Sequence, residues 1–156
     1  MDSANSSSPL ETAKDGYTIS TDPARLDVAA IHAYLSRSYW AEGIPLATVA
    51  ESLRHSLAFG LFDPAGRQVG LARVITDRAT YAYLCDVYVL EGERGRGLGK
   101  WLVETVLQHP ALNRLRRFML ATRDAHALYA QYGFNALRSP DRHMEIVRPD
   151  VYREAR

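Results

Sequence analysis

Apolar residues recur at helical spacing in two segments near the start of the chain. The first covers residues 23–36, begins at an Asp-Pro pair typical of a helix start, and has one apolar face formed by Val28, Ile31 and Leu35. The second covers residues 46–56, where apolar side chains fall at i, i+3, i+4, i+7 and i+11. The pattern predicts two helices, preceded by a short strand over residues 17–21 in which apolar and polar residues alternate.

The period of the pattern changes to two after residue 56. Alternation over residues 57–61 leads to Asp-Pro-Ala-Gly at 63–66, which is typical of a turn. A second apolar run follows over residues 69–77. These features predict a β-hairpin.

Residues 80–90 form a longer run that is apolar on both faces, as expected for a central strand. Only Asp86 interrupts it. Strict alternation along the run predicts that Tyr88 shares a face with Ala82 and Leu84.

The C-terminal half continues to alternate helices and strands. Helical patterns cover residues 98–108 and 124–132, and a short buried strand is predicted between them over 117–122. Two short strands, over 135–138 and 143–148, are predicted to end the domain. The resulting order, β-α-α-β-β-β-α-β-α-β-β, predicts a mixed α/β domain.

Length and composition agree with one folded domain. The chain has 156 residues, of which 47% are hydrophobic and 24% are charged, and these values exclude disorder over most of its length. Residues 1–16 are rich in Ser, Asn, Ala and Asp, so we expect a flexible tail followed by a domain over 17–156. The net charge of +1 gives no overall basic surface for a nucleic acid or an anionic membrane.

A single cysteine, Cys85, allows no internal disulfide, and it lies in no Cys-x-x-Cys pattern that would bind a metal. The sequence shows neither a secretion signal nor an apolar stretch long enough to cross a membrane. We therefore expect a cytoplasmic protein without a metal.

A glycine-rich loop links the long strand to the helix at residue 98. Glycines at 95, 97 and 99 permit positive φ, so that consecutive backbone N–H groups can converge on an anion at a helix N-terminus. Arg94, Arg96 and Lys100 add positive charge. The spacing excludes the dinucleotide fingerprint, whose third glycine is replaced by Lys100, and also the P-loop.

Two motifs resemble those of the GNAT N-acetyltransferase superfamily. Residues 94–99, Arg-Gly-Arg-Gly-Leu-Gly, are similar to its pyrophosphate-binding pattern, and residues 125–134 are similar to its Ala-x-x-Leu-Tyr-x-x-x-Gly-Phe segment. The resemblance implies a central, twisted and mostly antiparallel sheet of about six or seven strands, flanked by about four helices. It also implies that two strands splay apart at the cofactor site.

The resemblance implies acetyl-coenzyme A as the cosubstrate. The loop amides would bind its pyrophosphate, and the end of the long strand would lie beside the pantetheine arm. Many relatives carry a cofactor-contacting Asn where this chain has a threonine, so that contact is replaced or missing. The implied cofactor-binding residues are Val87, Tyr88, Val89, Arg94, Gly95, Arg96, Gly97, Leu98, Gly99, Lys100 and Thr122.

Two side chains are candidates for the chemistry of acetyl transfer. Tyr129 occupies the position at which many relatives carry the tyrosine that protonates the coenzyme A thiolate. With an ordinary pKa of about 10, a phenol stays protonated at neutral pH and can donate to sulfur. Asp86 interrupts an apolar strand, so it either attracts and deprotonates the acceptor amine or is a structural carboxylate paired with an arginine or backbone N–H groups.

The acceptor pocket is expected between the first two helices, where the resembling family shapes its substrate site; the candidates are Tyr39, Trp40 and Glu42. The predicted function is transfer of acetyl to a primary amine by direct attack in a ternary complex. The alternatives are a non-catalytic acyl-coenzyme A sensor and an enzyme that acetylates a protein N-terminus or lysine. Homodimers are common in the resembling family, and the sequence leaves the oligomeric state open.

Overall fold

A six-stranded sheet forms the centre of the protein, in a computed structural model that describes residues 8–154. The spatial order of the strands equals their order along the chain. All neighbouring strands are antiparallel except the last two, which are parallel. The strands are β1 (Glu11–Lys14), β2 (Tyr17–Ser20), β3 (Leu57–Phe62), β4 (Gln68–Thr76), β5 (Tyr81–Val89) and β6 (Arg117–Leu120).

Helices cover both faces of this sheet. One face carries a core cluster that includes Leu102 and Val106 of α3 and Tyr129 of α4, and the other carries a cluster with Ile31 of α1 and Val49 of α2. The helices are α1 (Val28–Leu35), α2 (Leu46–Arg54), α3 (Leu98–Gln108), α4 (His126–Ala130) and α5 (Val151–Glu154). The mixed α/β class and the mostly antiparallel sheet are confirmed.

The N-terminal strand and its turn occupy residues 11–16 of the segment predicted as a flexible tail over residues 1–16. Glu11–Lys14 forms β1 and pairs with Tyr17–Ser20 across a tight turn in which Asp15 and Gly16 both have positive φ. The strand is mostly exposed, and backbone pairing at the sheet edge rather than apolar burial accounts for its order. Residues 1–7 lie outside the described residues.

The first predicted helix, over 23–36, is in two pieces. A single 3-10 turn over Pro23–Arg25 is followed by α1, which begins only at Val28. Asp27 adopts an extended conformation and caps α1 by accepting a hydrogen bond from the Ala30 N–H at 3.0 Å. A second capping aspartate inside the predicted helix therefore divides it.

A β-bulge at Asp86 divides β5 into two halves. Arg73 lies opposite Cys85 and Leu71 opposite Tyr88, so β5 has one more residue than β4 over this interval. Asp86 itself has a φ of 51°. The bulge reverses the alternation, and Tyr88 packs with the α1 and α2 cluster while Ala82 and Leu84 pack with the α3 cluster. The predicted shared face for these three residues is therefore wrong.

Pairing between β5 and β6 covers only the first half of β5. The register runs from Tyr81 opposite Arg117 to Leu84 opposite Leu120, and β6 ends there. From Cys85 to Val89, β5 has no β6 residue beside it. The two strands therefore leave a gap at the bulge, which is the splay that the resemblance implies.

The two short strands predicted over 135–138 and 143–148 are absent from the sheet. Residues 140–142 form a 3-10 turn, and 143–148 have no regular structure. Within residues 8–154 the sheet ends at β6. Alternation over a few residues favours an extended chain, but a strand needs a partner edge as well.

Candidate functional site

The glycine-rich loop ends at the N-terminus of α3. Gly95 has a φ of 86° and Gly97, the N-cap of α3, has a φ of 77°, values that other residues adopt only with strain. The Trp101 N–H donates to the Gly97 carbonyl at 3.1 Å, which closes the first helical turn. The preceding backbone N–H groups remain free for an anion, at the positive end of the helix dipole.

The loop leaves room for a diphosphate. Apart from its chain neighbours and the backbone of α3, a Cβ atom placed on Gly95, Gly97 or Gly99 would have no heavy atom within 4 Å, so the backbone faces open space on this side. The side chains of Arg94, Arg96 and Lys100 are exposed around the same loop. Open backbone, a helix N-terminus and three cations fit the pyrophosphate of coenzyme A.

Hydrogen bonds hold this loop in position. Arg94 Nε donates to the Val89 carbonyl at 3.3 Å, which ties the loop to the end of β5. On the other side, the Tyr17 hydroxyl donates to Glu93 at 2.5 Å, which links the loop to β2. The same carboxylate lies 3.7 Å from Arg96 Nε and 3.8 Å from Arg67 Nη2. The bond to Glu93 raises the pKa of Tyr17, so the donor stays protonated at neutral pH.

A cleft of about 320 Å³ opens where β5 and β6 part. Its floor comes from both sides of the β5 bulge, and its far wall comes from the end of β6 and from α4. The α1–α2 loop contributes two aromatic side chains to its lining. The lining residues are Tyr39, Trp40, Tyr83, Leu84, Cys85, Asp86, Val87, Leu120, Ala121, Thr122, Arg123 and Tyr129.

Tyr129 lies on α4 in the wall of the cleft and is 8% exposed. Its ring packs edge-on against Phe134, with ring centroids 5.9 Å apart. Burial raises its pKa, with a smaller contribution from Tyr39. The phenol therefore stays protonated throughout the neutral range. Thr122 positions the helix, because its hydroxyl accepts a hydrogen bond from the Ala125 N–H at 3.1 Å.

Both carboxylate oxygens of Asp86 accept hydrogen bonds. Arg73 Nε donates to Oδ2 at 2.8 Å, and Trp40 Nε1 donates to Oδ1 at 2.8 Å. Arg73 in turn donates from Nη1 to the Ser56 hydroxyl at 3.0 Å. The ion pair is largely buried. Asp86 therefore anchors the α1–α2 loop to the bulge, in line with the structural interpretation of this carboxylate.

The α1–α2 loop also meets the opposite wall of the cleft. The guanidinium carbon of Arg123 lies 3.8 Å from the centroid of the Tyr39 ring, within the range of a cation–π contact. Tyr39 packs edge-on against Trp40 at 5.1 Å. Arg123 lies shortly after the end of β6 at Leu120, so this contact bridges the two sides of the gap between the strands.

The thiol of Cys85 lines the cleft as well. Burial raises its pKa to about 12, with Asp86 contributing in the same direction and Arg73 in the opposite one. The neutral thiol is a weak nucleophile, because the thiolate is the reactive form. This environment favours a mechanism without an acetyl-cysteine intermediate.

Comparison with known proteins identifies the family. A family model described as the acetyltransferase (GNAT) family matches residues 28–134, which contain the loop, the bulge and α4. The chain belongs to this family. It is similar to FG08082 of Gibberella zeae, a protein named as an acetyltransferase, with 36% identity over 149 residues, covering 81% of this chain and 83% of that protein.

Solved structures agree with this assignment. A GNAT protein from Xanthomonas campestris pv. campestris, xcc2953, is 52% identical and superposes with a TM-score of 0.85, covering 87% of this chain and 96% of that one. A Clostridium acetobutylicum protein crystallised with acetyl-coenzyme A shares the fold, with 14% identity and a TM-score of 0.61 over 88% of this chain and 96% of that one. This GNAT chain is an acetyl-coenzyme A-dependent acyltransferase.

The cleft contains the predicted catalytic residues and part of the other predicted sets, while the glycine-rich loop lies outside its lining. The cleft unites Tyr39, Trp40, Asp86, Thr122 and Tyr129, although they come from four separate parts of the chain. The side chain of Tyr88 points to the opposite face, where it stacks on Tyr34 with ring centroids 3.8 Å apart, so only its backbone can face a cofactor. Glu42, the third residue predicted for the acceptor side, is exposed and does not line the cleft.

Sequence reasoning missed two cations of the site. Arg73 and Arg123 belong to no motif: Arg123 lines the cleft and contacts Tyr39, and Arg73 pairs with Asp86. The only sequence signal for Arg73 was the expectation that a buried Asp86 needs a partner. Within residues 8–154, no group of three or more His, Cys, Asp and Glu side chains could hold a metal ion, and no helix there is long and apolar enough to span a membrane.

Proposed function

We propose that this GNAT enzyme transfers the acetyl group of acetyl-coenzyme A to the primary amine of a small molecule. The observation that carries the proposal is the cleft at the β5–β6 gap, where Tyr129 on one wall faces Tyr39 and Trp40 on the other. Acetyl-coenzyme A and the acceptor amine would therefore bind next to each other in the same cleft. Direct attack in a ternary complex is the mechanism that suits this arrangement.

The loop and the gap would hold the two ends of the cosubstrate. The backbone of residues 95–99 would bind the pyrophosphate, and the unpaired edge of β5 from Cys85 to Val89 would offer hydrogen bonds to the pantetheine amides. Because the gap opens at the bulge, the thioester would lie beside Val87 and Tyr129. Backbone N–H groups of the same strand edge are the candidate donors to the oxyanion.

The transfer balances with Tyr129 as the proton donor to sulfur and water as the proton acceptor from nitrogen. The neutral amine nitrogen attacks the thioester carbon, and the C–S bond breaks as the carbonyl re-forms. The departing sulfur takes the proton of the Tyr129 hydroxyl, which is protonated at neutral pH because burial raises its pKa. The nitrogen loses its extra proton to water, and the phenolate is reprotonated from solvent.

The shape and polarity of the acceptor side support a small molecule rather than a protein. The α1–α2 loop lines this side, and the Arg123–Tyr39 contact joins the loop to the opposite wall, which narrows the opening. Asp86 is already paired with Arg73 and Trp40, so the floor offers no free carboxylate to a basic peptide. An aromatic pocket with one cation at its rim suits an amine of modest size.

Release of coenzyme A from acetyl-coenzyme A tests this proposal. A panel of small primary amines is compared with lysine-containing and free-N-terminus peptides, with thiol release followed for the native enzyme. We expect turnover above background with at least one small amine and none with the peptides. Release of coenzyme A with peptides but with no small amine contradicts the small-molecule assignment. If the protein binds acetyl-coenzyme A and none of the acceptors gives release, the protein is a sensor.

A further inference from the structure

The ionic side chains that line the cleft at the β5–β6 gap are Asp86 and Arg123. The negative charge of Asp86 is offset by Arg73, whose Nε lies 2.8 Å from Oδ2 in a largely buried pair. Within residues 8–154, no second carboxylate lines this cleft. The positive charge of Arg123 therefore dominates the electrostatic potential that a ligand meets there.

The guanidinium of Arg123 is held in place without being neutralised. Its central carbon lies 3.8 Å from the centroid of the Tyr39 ring, which fixes the group on the acceptor side of the cleft. The carboxylate near it in the described part of the chain is that of Asp124, 3.6 Å from Nη2 and too far for a hydrogen bond. Because the side chains of this pair are 63% and 70% exposed, water screens their attraction.

The two arginines of the site use their N–H donors differently. The side chain of Arg73 is 16% exposed and donates from Nε to Asp86 and from Nη1 to Ser56, as expected for an arginine that stabilises the fold. Arg123 makes no hydrogen bond from its side chain to another described residue. A guanidinium over an aromatic ring can still direct its N–H groups, as a fork, at two oxygens of a carboxylate or a phosphate.

The charge of Arg123 disfavours a simple cationic amine. A primary alkylamine has an ordinary pKa of about 10.4, so it is almost wholly protonated at neutral pH. Such an ammonium ion is repelled by Arg123, and Asp86, already paired with Arg73, offers it little attraction. An anionic group on the same molecule would instead be attracted to Arg123 and would bring the amine into the cleft.

We infer that Arg123 binds an anionic group of the acceptor, so that the acceptor is a small primary amine that also carries a carboxylate or a phosphate. This inference rests on the proposed function. The guanidinium fork would pair with two oxygens of the anion while the Tyr39 ring keeps it in place, and the amine would extend toward Tyr129. Arg123 then selects the acceptor and takes no part in the bond changes.

Matched acceptors that differ in charge test this inference. Release of coenzyme A is measured with α-amino acids and their carboxamides, and with O-phosphoethanolamine and ethanolamine, for the native enzyme and for Arg123→Gln. We expect the ratio of kcat/KM values, anionic acceptor over its partner without the anion, to fall about fivefold in the variant, as for an ion pair at an exposed site. Differences in amine basicity cancel, because both enzymes are compared on the same acceptors.

Arg37→Gln is the matched control for this comparison. Arg37 is also exposed and lies over a tyrosine ring, that of Tyr34, but it does not line the cleft. This variant should keep the native ratio, and both variants should bind coenzyme A with a Kd within about twofold of the native value. In the native enzyme the ratio should decrease as ionic strength rises, because salt screens exposed charges.

The outcomes separate this inference from the proposed function. A response of the amino acid pairs identifies a carboxylate, and a response of the O-phosphoethanolamine pair identifies a phosphate. An unchanged ratio in Arg123→Gln overturns the inference, as does turnover only of amines that lack an anionic group, and either result leaves the proposed function standing. Release of coenzyme A with none of the small amines overturns the proposed function, and the inference with it.

Discussion

The indole N–H of Trp40 donates to Asp86 at 2.8 Å and ties the α1–α2 loop to the bulge in β5. The other oxygen of the same carboxylate accepts from Arg73. One aspartate with positive φ thus reverses the alternation of a strand and fixes the loop that lines one side of the cleft. The bulge connects the fold of this GNAT enzyme with its proposed acceptor selectivity.

Asp86→Asn distinguishes an anchoring carboxylate from a general base. Asparagine tolerates the positive φ and can still accept one hydrogen bond, but it cannot neutralise Arg73. We expect the free energy of unfolding to fall by about 1–3 kcal/mol, because a largely buried charge loses its partner. The acid limb of the kcat/KM–pH profile should keep its position. Loss of that limb would assign the role of base to Asp86.

Trp40→Phe removes only the hydrogen-bond donor from the loop. We expect the KM of the amine to rise about fivefold, since one hydrogen bond to a charged group is worth roughly 1 kcal/mol or more. The Kd of coenzyme A, measured by calorimetry, should stay within about twofold of the native value. A change in coenzyme A affinity with an unaltered amine KM would contradict the placement of Trp40 on the acceptor side.

Gly99→Ala tests the glycine-rich loop as the diphosphate site. Gly99 lies in the first turn of α3 with an ordinary φ, and a Cβ there would meet only open space, so the fold should be as stable as before or slightly more so. We expect the methyl group to occupy ligand space and to weaken coenzyme A binding by about tenfold. Gly92→Ala, also with open space and an ordinary φ, is the control. Equal affinity of the two variants would remove Gly99 from the site.

Arg123 and Tyr39 should act as a coupled pair. An exposed cation–π contact is worth about 0.5–1 kcal/mol, so Arg123→Ala and Tyr39→Ala should each raise the amine KM by about two- to fivefold. The double variant should resemble either single one, because each change removes the same contact. Arg37→Ala, which disrupts a similar contact with Tyr34 at 5.5 Å, is the control. Additive effects in the double variant would show that the pair is not coupled.

The buried thiol of Cys85 should reduce stability at high pH. Its ordinary pKa of 9.0 rises to about 12 in the folded protein, so between these values the unfolded chain releases a proton that the folded chain keeps. The free energy of unfolding therefore falls as pH rises, with a contribution of about 1.4 kcal/mol per pH unit. Urea titrations at pH 8 and pH 10.5 should show that the free energy of unfolding decreases less between these pH values for Cys85→Ala than for the native protein. An equal decrease in the two proteins would contradict the raised pKa of Cys85.

The sequence predicted those elements whose ends are determined by neighbouring residues along the chain. The helix over 98–108 has the predicted bounds, because Gly97 with positive φ begins it and the apolar period continues to its end. The division of the first helix at Asp27 and the pairing of β1 with β2 were missed, since a second cap and a backbone partner decide them. The faces of β5 were wrong beyond Asp86, because alternation cannot reveal an added residue.

The residues of the candidate site likewise fall into those that a local motif located and those that depend on tertiary contacts. Short motifs located the loop and Tyr129, whose neighbours along the chain carry the signal. Arg73 and Arg123 come from a different strand and from the end of β6, so no spacing relates them to Asp86 or Tyr39. The expectation that Glu42 would line the pocket followed from its position in the loop, but of the three candidates only Tyr39 and Trp40 line the cleft.

The most direct measurement is single-turnover acetyl transfer by Tyr129→Phe beside calorimetry with coenzyme A. Phenylalanine keeps the ring against Phe134 and loses only the hydroxyl. We predict that the rate of coenzyme A release falls by about a hundredfold, as expected for loss of a proton donor, while the Kd of coenzyme A changes by less than about twofold. A native rate of release in this variant would contradict the account.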